Sequence, residues 1–170
     1  QLSVYSDGNV QFAVRRKSNW GSYSKTRVML EGVETLLRLG NDWSHLINLS
    51  GQCLPLRPQE AIREYLSREG NRNFIRVRDV VTELPQWLYR LQTYYVEVGE
   101  RLIKTRLKRR FPRDLKPYGG SDWFILTREF CEFLSTSKLA KRMIRFYRYA
   151  ANPSEGLFHS VIMNSALRST

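Results

Sequence analysis

The stretch NPSEGLFH, residues 152–159, holds a single acid, Glu155, placed where it has two chemical uses. Asn152 is a good helix N-cap, Pro153 suits a first helical turn, and Glu155 follows the cap by three residues. That spacing approaches a capping box, in which the carboxylate reaches back to the cap's own N–H. The same spacing fixes a carboxylate at the positive end of a helix, ready to take a proton from a substrate hydroxyl. Gln at this position would still complete a capping box but would be no useful base. One substitution therefore separates the two uses.

The other residue types that could do chemistry carry weaker patterns. His45 and His159 are far apart in sequence and have no Cys or Asp at ligand spacing, so ordinary packing outweighs a metal role for each. Two cysteines, Cys53 and Cys131, make neither a disulfide framework nor a zinc site and point to a reducing compartment. Cys53 has no paired His motif to make it a nucleophile. Asn48-Leu-Ser50 is a formal glycosylation sequon, but the end of a buried strand is a poor place for an acceptor. Tyr147 and Tyr149, flanked by basic residues at helical spacing, read as packing rather than as a stacking platform.

The elements that must position these residues follow from periodicity. Residues 9–14, NVQFAV, alternate weakly and read as a strand, followed by the polar turn RRKSNWGSYS with Trp20. Val28, Met29, Val33, Leu36 and Leu37 recur at helical spacing over 25–39, and Gly40 stops the run. HLINL, 45–49, reads as a buried strand running into the loop SGQCLPLRP. PQEAIREYLSREG is a helix with Pro58 in its first turn, Glu60 at its positive end and Gly70 at its exit. FIRV, 74–77, is a further strand, and 86–110 reads as helical with some irregularity. WFILT is a buried strand leading into the helix REFCEFL, residues 138–150 form another helix, and a last helix follows Pro153. This order predicts an α/β fold with a partly parallel sheet flanked by helices, its ligands gathered at loops beyond the strand ends. Those loops are SNWGSYS, SGQCLP and the segments around GGSDW and NPSEG.

A chain of 170 residues, 42% of them hydrophobic, can bury one sizeable core, and a single domain over 1–170 is expected. No apolar run approaches the ~20 residues of a membrane span, and the first residues lack the basic and apolar regions of a signal peptide. The absent initiator Met leads to the expectation that the chain is a piece of something longer. The 28 Lys and Arg against 16 Asp and Glu leave a net charge of +12. Much of that excess lies in GERLIKTRLKRRFPRDLK, which favours an anionic partner such as phosphate-bearing substrates or anionic lipid. Nothing in the tract resembles a base-reading motif, so no specific nucleic-acid partner is expected. The charge density without apolar spacing predicts a peripheral contact to an anionic membrane or to an anionic acceptor.

Four segments in order, NWGSYSKTRVMLEGVETLLR, HLINLSGQCLPLRPQEAI, PYGGSDWFILTREFCEFL and NPSEGLFHSVIMNS, resemble the Core-2/I-branching enzyme and peptide O-xylosyltransferase family, family 14 of the glycosyltransferases. The wording GGSDWF…RFYRY…PSEGLFHSVIMNS is closer to the xylosyltransferase branch. The resemblance covers about residues 9 to 165. It implies a glycosyltransferase-A-like, Rossmann-like α/β fold and an inverting, metal-independent transfer of xylose or N-acetylglucosamine from a UDP-sugar to a hydroxyl of a protein or glycan acceptor, with no cofactor. The resemblance assigns the base role to Glu155. It puts Trp20 and Ser50 with the donor, and Gly120, Ser121, Asp122 and Trp123 along the donor and acceptor cleft. Trp123 also has a physical case, because aromatic faces pack against the C–H faces of sugars; a core position in a buried strand is the competing expectation.

Family members often carry Asp where this chain has Cys53, and the family's first nucleotide-binding strands precede the region matched. Its diphosphate-gripping basic residues come later than Thr170, so the chain is expected to be the central and C-terminal part of a larger catalytic domain, inactive by itself. The cytoplasm or a membrane periphery is the expected location, or the Golgi lumen for a eukaryotic family member. The alternative from another class is a non-catalytic polyanion-binding module that uses the basic tract 101–116.

Overall fold

The computed structural model describes residues 15–40 and 42–169; the strand expected at 9–14 lies outside the described residues. Helix α1 (Tyr23–Leu39) starts after extended Ser22 and ends at Gly40, whose φ of 143° few other residues adopt. It turns Thr26 and Val33 inward. Strand β1 (His45–Ile47) follows, then α2 (Gln59–Glu69), which begins after Pro58 with Glu60 in its first turn and stops at Gly70 (φ 64°) as its sequence predicts. Next come β2 (Arg78–Asp79), a 3₁₀ turn (Pro85–Trp87) and the short α3 (Leu88–Gln92). The hairpin β3 (Thr93–Val98) and β4 (Arg101–Lys108) precedes β5 (Tyr118–Gly119) and β6 (Ile125–Thr127).

Three more α-helices and a 3₁₀ turn (Ala166–Ser169) follow among the described residues. Thr127 caps α4 (Arg128–Thr136) by accepting from the Phe130 N–H at 3.2 Å, and Ser137 caps α5 (Lys138–Tyr147) by accepting from Ala140 at 3.0 Å. Both supply an acceptor that the first helical turn lacks. Helix α6 (Ser154–Met163) is buried on every side from Gly156 to Ile162, which its nearly uncharged sequence permits. It is the axis of the core. Its Leu157, Phe158 and Val161 share one core with Leu126, Phe130 and Met143, all fully buried, and the Phe124 and Phe158 ring centroids lie 4.9 Å apart. Among the described residues no helix is long and apolar enough to cross a membrane.

The mixed helix and sheet content agrees with the α/β expectation, while the strand pairing differs from it. Among the described residues the strand pairs β1 with β6, β2 with β5 and β3 with β4 are all antiparallel. On β6, Ile125 pairs with Ile47 and also exchanges hydrogen bonds of 2.8 and 2.9 Å with Phe74. The β1 and Phe74 segments therefore run in the same direction, as a strand–helix–strand crossover requires, but β6 lies between them. The FIRV segment contributes only this single bridge.

Residues 86–110 depart furthest from expectation, since a hairpin replaces most of the expected helix. Thr93, Tyr94, Tyr95, Val96 and Val98 are β-formers, Thr93 and Tyr95 point inward, and Gly99 at φ 58° opens a two-residue turn. The basic residues Arg101, Lys104, Arg106 and Lys108 are exposed along β4. Arg109, by contrast, is buried: its guanidinium lies 3.6 Å from the Phe146 ring centroid and donates to the Phe146 carbonyl. Burial brings its pKa down to about 10, so it stays charged at neutral pH.

Candidate active site

The turn before α6 is where the sequence placed two uses for Glu155, and the backbone excludes one of them. Asn152 has φ 46°, a left-handed conformation that Asn tolerates better than most residues. Its N–H donates to the Gly21 carbonyl at 2.8 Å. That is the N–H a capping box would offer to Glu155, and no side chain caps α6. The capping-box expectation is therefore corrected. The Glu155 carboxylate instead accepts from Arg90 Nη1 at 2.6 Å through Oε2, while Oε1 has no partner among the described residues. Arg90 is itself stacked on Trp87, 3.9 Å from the ring centroid.

Glu155 opens onto a depression of about 330 Å³ that it shares with Arg76, Arg78, Trp87, Gly120 and Ser121. Gly120 is tied to the turn by its N–H, which donates to the Glu155 carbonyl at 2.9 Å. A side chain there would meet the Arg76 carbonyl and come within 2.7 Å of His159 Nε2. The glycine is thus a steric requirement of the close approach between this loop and α6.

The rest of the GGSDW loop is anchored from other elements. Asp122 is ion-paired with Lys25 of α1, and the Asn48 side-chain amide donates to the Asp122 carbonyl at 2.7 Å. The sequon Asn48 is thereby engaged at the exit of β1. Trp123 is 54% exposed, against the expectation of a core Trp, so its ring is open to a ligand. Trp20 is 85% exposed. Its neighbour Gly21 has φ 72°, and a Cβ on it would come 2.5 Å from Asn152 Oδ1. The NWGSYS turn therefore docks on the NPSEG turn.

Ser50 is exposed beyond β1, with its hydroxyl 3.3 Å from Cys53 Sγ. Hydrogen bonding to Ser50 draws the Cys53 thiol pKa down, whereas burial pushes Cys131 up to about 12. The structure thus joins the expected residues pairwise, Gly21 to Asn152, Gly120 to Glu155 and Asn48 to Asp122. Of the expected residues, Glu155, Gly120 and Ser121 line the depression together; Trp20, Ser50, Asp122 and Trp123 stand outside it.

His159 lies beneath this loop, fully buried, with neither ring nitrogen hydrogen-bonded. Desolvation depresses its pKa to about 4, against the opposing pull of Asp122 and the nearby Ser121 backbone, neither of which meets hydrogen-bond geometry. Among the described residues no three His, Cys, Asp or Glu side chains converge as metal ligands would. Four residues of the site escaped the sequence reading: Arg76, Arg78, Trp87 and Arg90. Two signals were present. Arg76 and Arg78 alternate within an extended segment and so face one way, and Trp87 and Arg90 are three apart in a helical stretch.

The sequence profile of the Core-2/I-branching enzyme family matches residues 4–170. A xylosyltransferase of Ciona intestinalis is 29% identical over 165 residues, which is 95% of this chain and 19% of the relative. Xylosyltransferase 1 of Rattus norvegicus is 32% identical over 161 residues, 89% of this chain and 19% of the relative. Xylosyltransferase 1 of Homo sapiens is 34% identical over 157 residues, 89% of this chain and 16% of the relative. The chain thus spans less than a fifth of the length of these relatives. The match to nearly every residue, together with a glycine-lined depression that opens beside the acid of the Pro-Ser-Glu turn, leads to one conclusion: this chain belongs to the Core-2/I-branching enzyme family, of glycosyltransferase-A-like fold.

Proposed function

We propose that this chain carries the base and part of the substrate cleft of an inverting glycosyltransferase, which moves xylose or N-acetylglucosamine from a UDP-sugar to a hydroxyl of a protein or glycan, without a metal. The observation that carries the reading is the partly exposed Glu155 carboxylate, with Oε1 unengaged among the described residues, beside the depression lined by Arg76, Arg78, Trp87, Gly120 and Ser121. The names of the relatives favour xylose as the sugar.

In the proposed step, Oε1 of Glu155 takes the acceptor hydroxyl proton as the acceptor oxygen bonds to the anomeric carbon. The bond from that carbon to the diphosphate breaks on the opposite face, and UDP departs with the electron pair. The configuration inverts because attack and departure are on opposite sides. Trp20 and Ser50 are assigned to the donor, and Asp122 and Trp123 to the outer cleft, with the exposed Trp123 ring as a sugar platform.

Glu155→Gln in the full-length parent tests the base directly. Gln can still accept from Arg90 but cannot hold the proton. We expect near-wild-type melting and UDP binding with transfer lowered by ~100-fold or more, the scale for a lost general base. An unchanged transfer rate refutes the assignment. The second reading, a polyanion-binding module, draws on Arg101, Lys104, Arg106, Lys108 and Arg110, which are exposed and without an acid partner among the described residues. Thermal stabilisation by UDP at moderate salt favours the enzyme, and a salt-sensitive response to heparin alone favours the module.

A further inference from the structure

We propose that Arg90 is the positioning residue for Glu155: it holds one carboxylate oxygen so that the other faces the acceptor hydroxyl. This inference rests on the reading of Glu155 as the base. A glutamate side chain has three rotatable bonds, and one left free at a cleft rim would spend most of its time aimed elsewhere. A base contributes only when its oxygen lies within hydrogen-bond reach of the proton it removes. Something must therefore hold the carboxylate.

Arg90 meets that need and is itself held at several points. Its guanidinium donates to Glu155 Oε2 at 2.6 Å and lies on the Trp87 ring at 3.9 Å, so the charged plane is clamped between a carboxylate and an aromatic face. Its backbone carbonyl accepts from the Ala151 N–H at 3.3 Å, tying α3 to the turn that carries Glu155. Its side chain is 15% exposed against 29% for Glu155, and of the two only Glu155 lines the depression. Arg90 Nε is buried with no hydrogen-bond partner.

The arrangement also survives the proton transfer. With the proton on Oε1, Oε2 becomes a carbonyl-type oxygen and still accepts from Arg90. The base can thus turn over without swinging away.

The test uses the full-length parent with UDP-xylose as donor and a serine-containing peptide as acceptor, and compares Arg90→Gln, Arg90→Lys, Glu155→Gln and the double variant Arg90→Gln/Glu155→Gln. Arg90→Gln should lower kcat by ~10- to 100-fold, the scale for a misplaced reactive group, with the Kd for UDP-xylose within about twofold of wild type. Arg90→Lys, which keeps a charged donor, should recover most of that loss. In the Glu155→Gln background Arg90→Gln should cost less than about twofold more, because the two act as one unit. A wild-type kcat in Arg90→Gln, or a loss that multiplies in full onto that of Glu155→Gln, overturns the proposal while leaving the base assignment standing. Full transfer by Glu155→Gln overturns the base assignment and this inference with it. If Arg90→Gln melts far below wild type, Arg90→Lys decides: a folded variant that loses as much kcat as Arg90→Gln refutes positioning by charge.

Discussion

Acid should destabilise this fold through His159 before it titrates most carboxylates. The ring is fully buried under Gly120, and neither nitrogen finds a partner to support a positive charge. The groups facing it are Gly120, the Ser121 backbone and Asp122, whose charge is already engaged by Lys25. In the unfolded chain the ring titrates near 6.5, and in the fold at about 4. The folded pKa of this base is thus depressed. Its neutral form stabilises the fold fully above pH 6.5, and that contribution is lost as pH falls from 6.5 toward 4, where the unfolded state binds a proton that the folded state refuses.

Integrated from pH 7.5 to 4.5, the linkage removes about 2 to 3 kcal/mol, a large share of the stability of an ordinary domain. Urea unfolding midpoints followed by Trp fluorescence at half-unit pH steps would measure it. His159→Leu is the control, similar in volume and without a titrating group. The variant's stability should fall less than that of wild type over the same range, by the full amount of that linkage. Glu31 and Asp114, whose ion pairs with Arg16, Arg27 and Arg142 lower their pKa values, lose their contributions in both proteins and cancel in the comparison. Parallel pH curves for wild type and variant would refute the argument.

Gly156→Ala should destabilise by about 1–3 kcal/mol, the overpacking scale, although Ala is the better helix former. Its Cβ would sit 2.7 Å from the Tyr147 ring, which is fully buried and held by a 2.8 Å hydrogen bond between its hydroxyl and Ser160; a raised melting temperature would refute this. Gly120→Ala should cost at least as much in a urea titration, because the new methyl group meets a backbone carbonyl and His159, neither of which can swing aside. For the proposed anionic-membrane contact, charge reversal at Arg106, Lys108 and Arg110 should weaken sedimentation with anionic vesicles, and unchanged sedimentation at low salt counts against it. Reversal at Arg109 would read stability instead, since that side chain is buried on Phe146.

Local chemistry determined much of this chain before any folding was considered. Gly40 and Gly70 end helices because glycine takes those φ values cheaply, Ser137 and Thr127 start them by capping, and the run after Pro153, mostly apolar and with only Glu155 and His159 titratable, reads as a helix from its own residues. The ordered words also marked the NWGSYS and GGSDW loops, which bond to the turn carrying Glu155, and the SGQCLP loop, which stands apart from it. Pairing was another matter. TYYVEV and RLIKTRLK carry both helix-compatible apolar spacing and β-forming side chains, and only a partner strand across the Gly99 turn settles that choice. The insertion of β6 between β1 and Phe74 depends on contacts about 50 to 80 residues apart, to which local propensity is blind. The same holds at the site. Asn152 and Glu155 have the spacing of a capping box, but tertiary structure spends the Asn152 N–H on Gly21 and gives the carboxylate to Arg90, 65 residues away. A hydrogen-bond donor serves one strong partner at a time, and which partner arrives is decided by packing.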